Sequence, residues 1–116
     1  MIIKHAKRIN GLALFADRNH KAHDKIYKLR GIKYEKPTKY TIQIDVDNHI
    51  LDPYGIYMNH SFSPTCIIKE GWILALRDLD AGEELTFDYN VNETCCAFQF
   101  VDADTQKKVV GSKFIN

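Results

Sequence analysis

Cysteine and proline are both scarce in this chain, three of each among 116 residues. Cys66, Cys95 and Cys96 form an odd set with two members adjacent, which suits neither a disulfide framework nor a paired C-x-x-C metal site. Reduced thiols in an intracellular, cytoplasmic setting are the expectation. Long apolar runs are missing too: none approaches the roughly 20 residues that cross a bilayer, and the N-terminus lacks the apolar stretch of a secretory signal. With 45% apolar and 27% charged residues, the composition is that of a globular protein and not of a disordered one. Repeats, low-complexity tracts and linkers are absent, so residues 1–116 read as one domain with a short tail after about residue 93.

Net charge is also small, +1, but it is unevenly spread. Residues 1–39 hold 11 Lys/Arg against 3 Asp/Glu, and residues 40–116 hold 5 against 12. A basic half is compatible with nucleic acid, yet the aromatic-interleaved basic motif of such proteins is missing, so no direct nucleic-acid partner is expected. An acidic half would steer a lysine-rich peptide inward. Packing of the two halves against each other would cancel both effects.

What is present is period-two patterning. Gly11–Ala16 (GLALFA) is a short apolar run, and Tyr40–Asp45 alternates Tyr40, Ile42 and Ile44 with Thr41, Gln43 and Asp45. Cys66–Lys69 and Trp72–Leu76 flank Glu70-Gly71, a two-residue connection suited to a primed hairpin turn. Asp80-Ala81-Gly82 is a further turn, leading into Glu84–Tyr89, where Leu85, Phe87 and Tyr89 alternate with polar neighbours. Three-turn helices are lacking; Ala22–Leu29 and Tyr54–Met58 suit a helical turn or two. The expected fold is mainly β, with several small sheets and short helical turns.

Taken alone, Asn59-His60-Ser61 is a turn with a histidine, and Gly82–Asn90 is a turn followed by an amphipathic strand. In this order and spacing, Gly11–Ala16 (GLALFA), Tyr40–Asp45 (YTIQID), Asn59–Cys66 (NHSFSPTC) and Gly82–Asn90 (GEELTFDYN) resemble the SET domain family of protein lysine methyltransferases. The resemblance implies a SET-type β-fold with a C-terminal pseudoknot, in which Asn59 and His60 lie against the catalytic Tyr89. It also implies a site for S-adenosylmethionine built from Gly11, Leu12, Ala13, Tyr40, Asn59 and His60. Two departures stand out. Ala13 replaces a usual glycine, which is favoured where a ligand approaches the backbone, and Lys28-Leu29-Arg30-Gly31 keeps only its glycine.

Methyl transfer from a sulfonium to an amine needs in-line alignment and a neutral amine. A nearby positive charge and desolvation would lower the lysine pKa without a dedicated base. By resemblance, Tyr89 would orient that amine, and Phe87, lacking the hydroxyl of a tyrosine at its position, would leave room for di- or trimethyllysine. Relatives often bind zinc through a cysteine-rich tail. Here Phe62 replaces one ligand and Cys95-Cys96 lack a separated third, so no zinc is expected. Phe98, Phe100 and Phe114 are instead candidates to close the lysine channel. The expected partner is a lysine-bearing protein or peptide of open identity, and a homodimer remains open as a way for so small a domain to gain surface. A catalytically silent module binding a basic peptide or the cofactor is the alternative reading.

Overall fold

The computed structural model describes residues 1–114; Ile115 and Asn116, the end of the expected tail, lie outside the described residues. In chain order the strands are β1 (Ile2–Ala6), β2 (Gly11–Phe15), β3 (Lys25–Lys28), β4 (Ile32–Tyr34), β5 (Ile42–Asp45), β6 (Asn48–Leu51), β7 (Asn59–His60), β8 (Cys66–Lys69), β9 (Trp72–Ala75), β10 (Thr86–Phe87), β11 (Phe100–Val101) and β12 (Lys108–Val109). A 3-10 turn at Gly55–Tyr57 and one helical turn, α1 (Tyr89–Asn92), complete the part that matters for function. The strands form small sheets ordered β1-β2, β3-β9-β8, β4-β6-β5, β7-β10 and β11-β12. Among the described residues no helix is long and apolar enough to cross a membrane.

Local chemistry accounts for several of these elements. Glu70 (φ 53°) and Gly71 (φ 80°) both take the left-handed conformation that a two-residue turn between twisted strands requires. This joins β8 to β9 in the register Lys69 opposite Trp72. Gly82 (φ 93°) closes the next turn, and its N–H donates to the Ala16 carbonyl at 2.8 Å. Side chains from most of the small sheets meet in one core that includes Leu14, Ile42, Ile73, Leu79, Leu85 and Phe87.

Three local expectations need correction. Within Ala22–Leu29, residues Lys25–Lys28 are strand β3 and not helix, because pairing with β9 supplies the backbone partners a short helical turn cannot retain. The Tyr40–Asp45 strand begins only at Ile42, and its alternation fails at Gln43, which is buried. The Gln43 side chain donates to the Asp45 and Val46 carbonyls and accepts from the Thr94 N–H at 2.7 Å, so hydrogen bonds to the tail replace water. The expected Glu84–Tyr89 strand is reduced to Thr86–Phe87 (β10), and Tyr89 opens α1 instead of ending the strand.

Two anchors hold the long connections. Asp52, 1% exposed, accepts from Tyr27 Oη (2.8 Å), Arg30 N–H (2.7 Å), Tyr54 N–H (2.7 Å) and Gly55 N–H (2.8 Å). Burial, with Asp52 adding to it, pushes the Tyr27 hydroxyl up to about 12. The second anchor is buried Asn90, whose Nδ2 donates to the Lys108 carbonyl (2.8 Å) while Oδ1 accepts from Val110 N–H (2.9 Å) and Gly111 N–H (3.0 Å). The tail is thereby folded back onto α1. Replacing Asp52 by Ala strands four donors around a buried gap, and we expect a loss of about 3 kcal/mol or more. Urea unfolding checks this; an unchanged midpoint would contradict the anchor.

Candidate functional site

The turn after β10 is fixed by Asp88, whose Oδ1 accepts from Asn90 N–H at 2.9 Å as an N-cap. Capping starts α1 at Tyr89 and swings its ring out of the strand line. Parallel pairing of β7 with β10 sets Asn59 beside Thr86 and His60 beside Phe87. The Tyr89 N–H then donates to His60 Nδ1 at 3.0 Å, and the Tyr89 hydroxyl donates to the Met58 carbonyl at 2.6 Å. His60 and Tyr89 are therefore in direct contact, with Asn59 next to them on β7, as the resemblance implies.

These bonds settle protonation. His60 Nδ1 is an acceptor, so the neutral ring carries its proton on Nε2, which is buried and has no partner among the described residues. Burial lowers the His60 pKa, outweighing the opposing pull of Asp88. The 3.8 Å approach of His60 Nδ1 to Asp88 Oδ1 is accordingly not an ion pair. Burial also raises the Tyr89 pKa far above its ordinary value, and the neighbouring Glu93 adds to the shift. Tyr89 is a neutral phenol, no general base, and because its O–H donates to Met58 O its lone pairs are left to accept.

A cavity of about 510 Å³ opens beside these groups. Of the residues singled out by sequence, Tyr40, Asn59, His60, Phe87, Tyr89, Phe98 and Phe100 line it. Gly11, Leu12, Ala13 and Phe114 do not. Leu12 reaches the site indirectly, its carbonyl accepting from Asn59 Nδ2 at 3.3 Å. Ala13 is fully buried in a small cluster with Ala6 and Phe15, so its extra methyl points into packing. Phe114 is 52% exposed. Phe87 and Tyr89 pack ring to ring with centroids 4.8 Å apart, and Phe100 stands edge-on to Tyr89 at 6.3 Å. The hairpin β11-β12 carries Phe100 to the wall, held at its tip by Asp102, which accepts from Thr105 N–H and Oγ1.

Sequence reading missed five wall or support residues. Met58 contributes only a carbonyl, invisible in a side-chain pattern. Glu84, read as a surface group, accepts from Arg8 Nη2 (3.1 Å) and from Asn59 Nδ2 (3.4 Å), tying the β1-β2 turn to the site. Arg8 also approaches Asp104 at 3.6 Å. Glu93 and Cys96 lie on the cavity wall, where burial pushes the Cys96 thiol up to about 11. The period-two signal could not have found either. All three cysteines are free, and among the described residues no three potential metal ligands gather.

A family model described as SET domain matches residues 11–90. No curated protein matches the chain.

His49 and His60 are both buried with pKa values lowered from 6.5 by burial. The unfolded rings take up protons near pH 6.5 while the folded ones do not. Their contribution is constant above about pH 6.5 and declines below it, by up to about 1.4 kcal/mol per pH unit per histidine, until the folded rings protonate. Glu93, whose pKa burial raises, works in the opposite sense wherever its titration overlaps that window. We therefore expect His49→Asn to lose less stability than the parent between pH 7.5 and 5.5. Equal losses in urea unfolding would show that His49 protonates in the folded state.

Proposed function

This chain belongs to the SET domain family, and from that premise we propose that it transfers methyl groups from S-adenosylmethionine to the side-chain amine of lysine in a protein or peptide. The observation that carries the reading is the Tyr89 hydroxyl, tethered to Met58 O on the wall of the same cavity that Asn59 and His60 line. Several features of the chain suit the donor. The cavity volume is in the range of ligand sites, His60 Nε2 is a buried donor without an acceptor among the described residues, and Tyr40 and Asn59 line the same space. Ala13 packs away from the cavity, which supports the view that this departure leaves the space open. When bound, S-adenosylmethionine supplies a methyl group made electrophilic by its sulfonium.

The chain's own residues orient and enclose. Tyr89, with its proton committed to Met58 O, offers lone pairs to an amine N–H or to polarised methyl C–H groups. Phe87, 3% exposed, forms an apolar wall without a hydroxyl that would tether a partly methylated amine. Phe98 and Phe100 restrict water from the tail side. The free thiols suit a reducing, cytoplasmic compartment.

Incubation with labelled S-adenosylmethionine and lysine-rich proteins should give transfer, and Tyr89→Phe should reduce the rate by about 100-fold through lost alignment. Cofactor binding without transfer in the parent protein would instead favour a silent module. The parent should proceed to di- or trimethyllysine, with Phe87→Tyr shifting product toward monomethyllysine. Mass spectrometry of exhaustive reactions reads both, and monomethyl product alone from the parent would contradict the role given to Phe87.

A further inference from the structure

Glu93 is a buried carboxylate without a cation. It is 6% exposed, lies on the wall of the cavity and follows Tyr89 by four residues, its N–H donating to the Tyr89 carbonyl at 2.8 Å. One turn of helix therefore presents both side chains to the same space. Oε2 accepts from Gln43 N–H at 2.9 Å and from Asn92 Nδ2 at 2.6 Å. Oε1 accepts from nothing among the described residues, and no Lys, Arg or His among them forms an ion pair with the group. The two cationic side chains of the cavity wall are engaged elsewhere: Arg8 with Glu84 and Asp104, and Lys39 over the rings of Phe98 (4.7 Å) and Tyr40 (5.6 Å).

An ionised carboxylate removed from water is costly unless a positive charge meets it. The two donors on Oε2 hold the group in place and offset part of that cost without neutralising it. We propose that Glu93 is the docking site for an ammonium, that of the substrate lysine, with Oε1 as its acceptor. This rests on the lysine-methylation reading and extends it to the step before chemistry. The consequence for catalysis is specific. A carboxylate that holds the ammonium strengthens capture and at the same time favours the protonated, unreactive amine. Glu93 therefore contributes to binding and gives no help to the rate of transfer. It is a substrate-binding residue, distinct from Tyr89.

Glu93→Gln is the informative change, because its amide oxygen can still accept from Gln43 N–H and Asn92 Nδ2 and so preserve the link to β5. The expected result is a KM for a lysine peptide raised roughly tenfold or more, with kcat unchanged or higher. A purely structural role would lower kcat as well. Calorimetry with the lysine peptide and a norleucine counterpart removes dependence on turnover. The parent should prefer lysine by roughly tenfold or more and the variant should bind the two peptides alike. An unaltered preference in the variant overturns the proposal. So does a variant that loses only its preference for S-adenosylmethionine over S-adenosylhomocysteine, which lacks the sulfonium charge, since the cation would then be the donor's sulfonium. If the parent binds the lysine peptide selectively but transfers no methyl, the functional reading fails while the Glu93 assignment stands.

Discussion

Two residues of parallel pairing carry the arrangement of the whole site. Asn59 and His60 lie alongside Thr86 and Phe87, and only because of that does His60 Nδ1 sit where the N–H of Tyr89, two residues beyond Phe87, can reach it. So short a ladder is weak by itself. It is reinforced by Thr65, whose Oγ1 donates to the Glu84 carbonyl (2.8 Å) and accepts from Thr86 N–H (3.0 Å), and by Ser61 N–H donating to the Phe87 carbonyl (3.1 Å). Slip the register by one residue and Phe87 leaves the cavity, because side chains alternate faces. The buried neutral imidazole, the tethered phenol and the apolar wall are consequences of one pairing.

The second organising feature is the tail. It reaches the site through Asn90, which binds Lys108, Val110 and Gly111 backbone groups, and through Ser112 N–H donating to the Glu93 carbonyl at 2.7 Å. Gly111 (φ 111°) is needed there, since a β-carbon would stand 2.6 Å from the Thr94 carbonyl oxygen. The last residue of the GEELTFDYN segment thus has a structural task, holding the strands that bring Phe100 to the cavity. The charge asymmetry of the sequence is partly spent at the same place, where Arg8 of the basic half meets Glu84 and Asp104 of the acidic half.

Elements whose stability is local were legible in the sequence. The Glu70-Gly71 turn follows from backbone conformation alone, whereas the juxtaposition of Asn59 and His60 with Tyr89, distant in sequence, was expected only from the resemblance to the SET domain family. Illegible were features that arise from contact between distant segments. Gln43 reads as an outward strand residue until Thr94 is placed beside it. Glu93 reads as a tail residue until the Gln43 backbone closes over it. Ala13 reads as a possible obstacle to a ligand because its pattern says nothing of Ala6 and Phe15, which absorb its methyl. Gly11, Leu12 and Ala13 stand apart from the cavity wall, and Leu12 alone connects to it through Asn59.

The central claim is that the space between Asn59-His60 and Tyr89 receives the methyl donor. Titrating isotope-labelled protein with S-adenosylhomocysteine and following backbone and ring signals by NMR tests it most directly. The account predicts saturable shifts concentrated at Asn59, His60 and Tyr89, with a His60 Nε2–H signal emerging as that proton gains an acceptor. Binding that shifts residues elsewhere and leaves these three unmoved would contradict it.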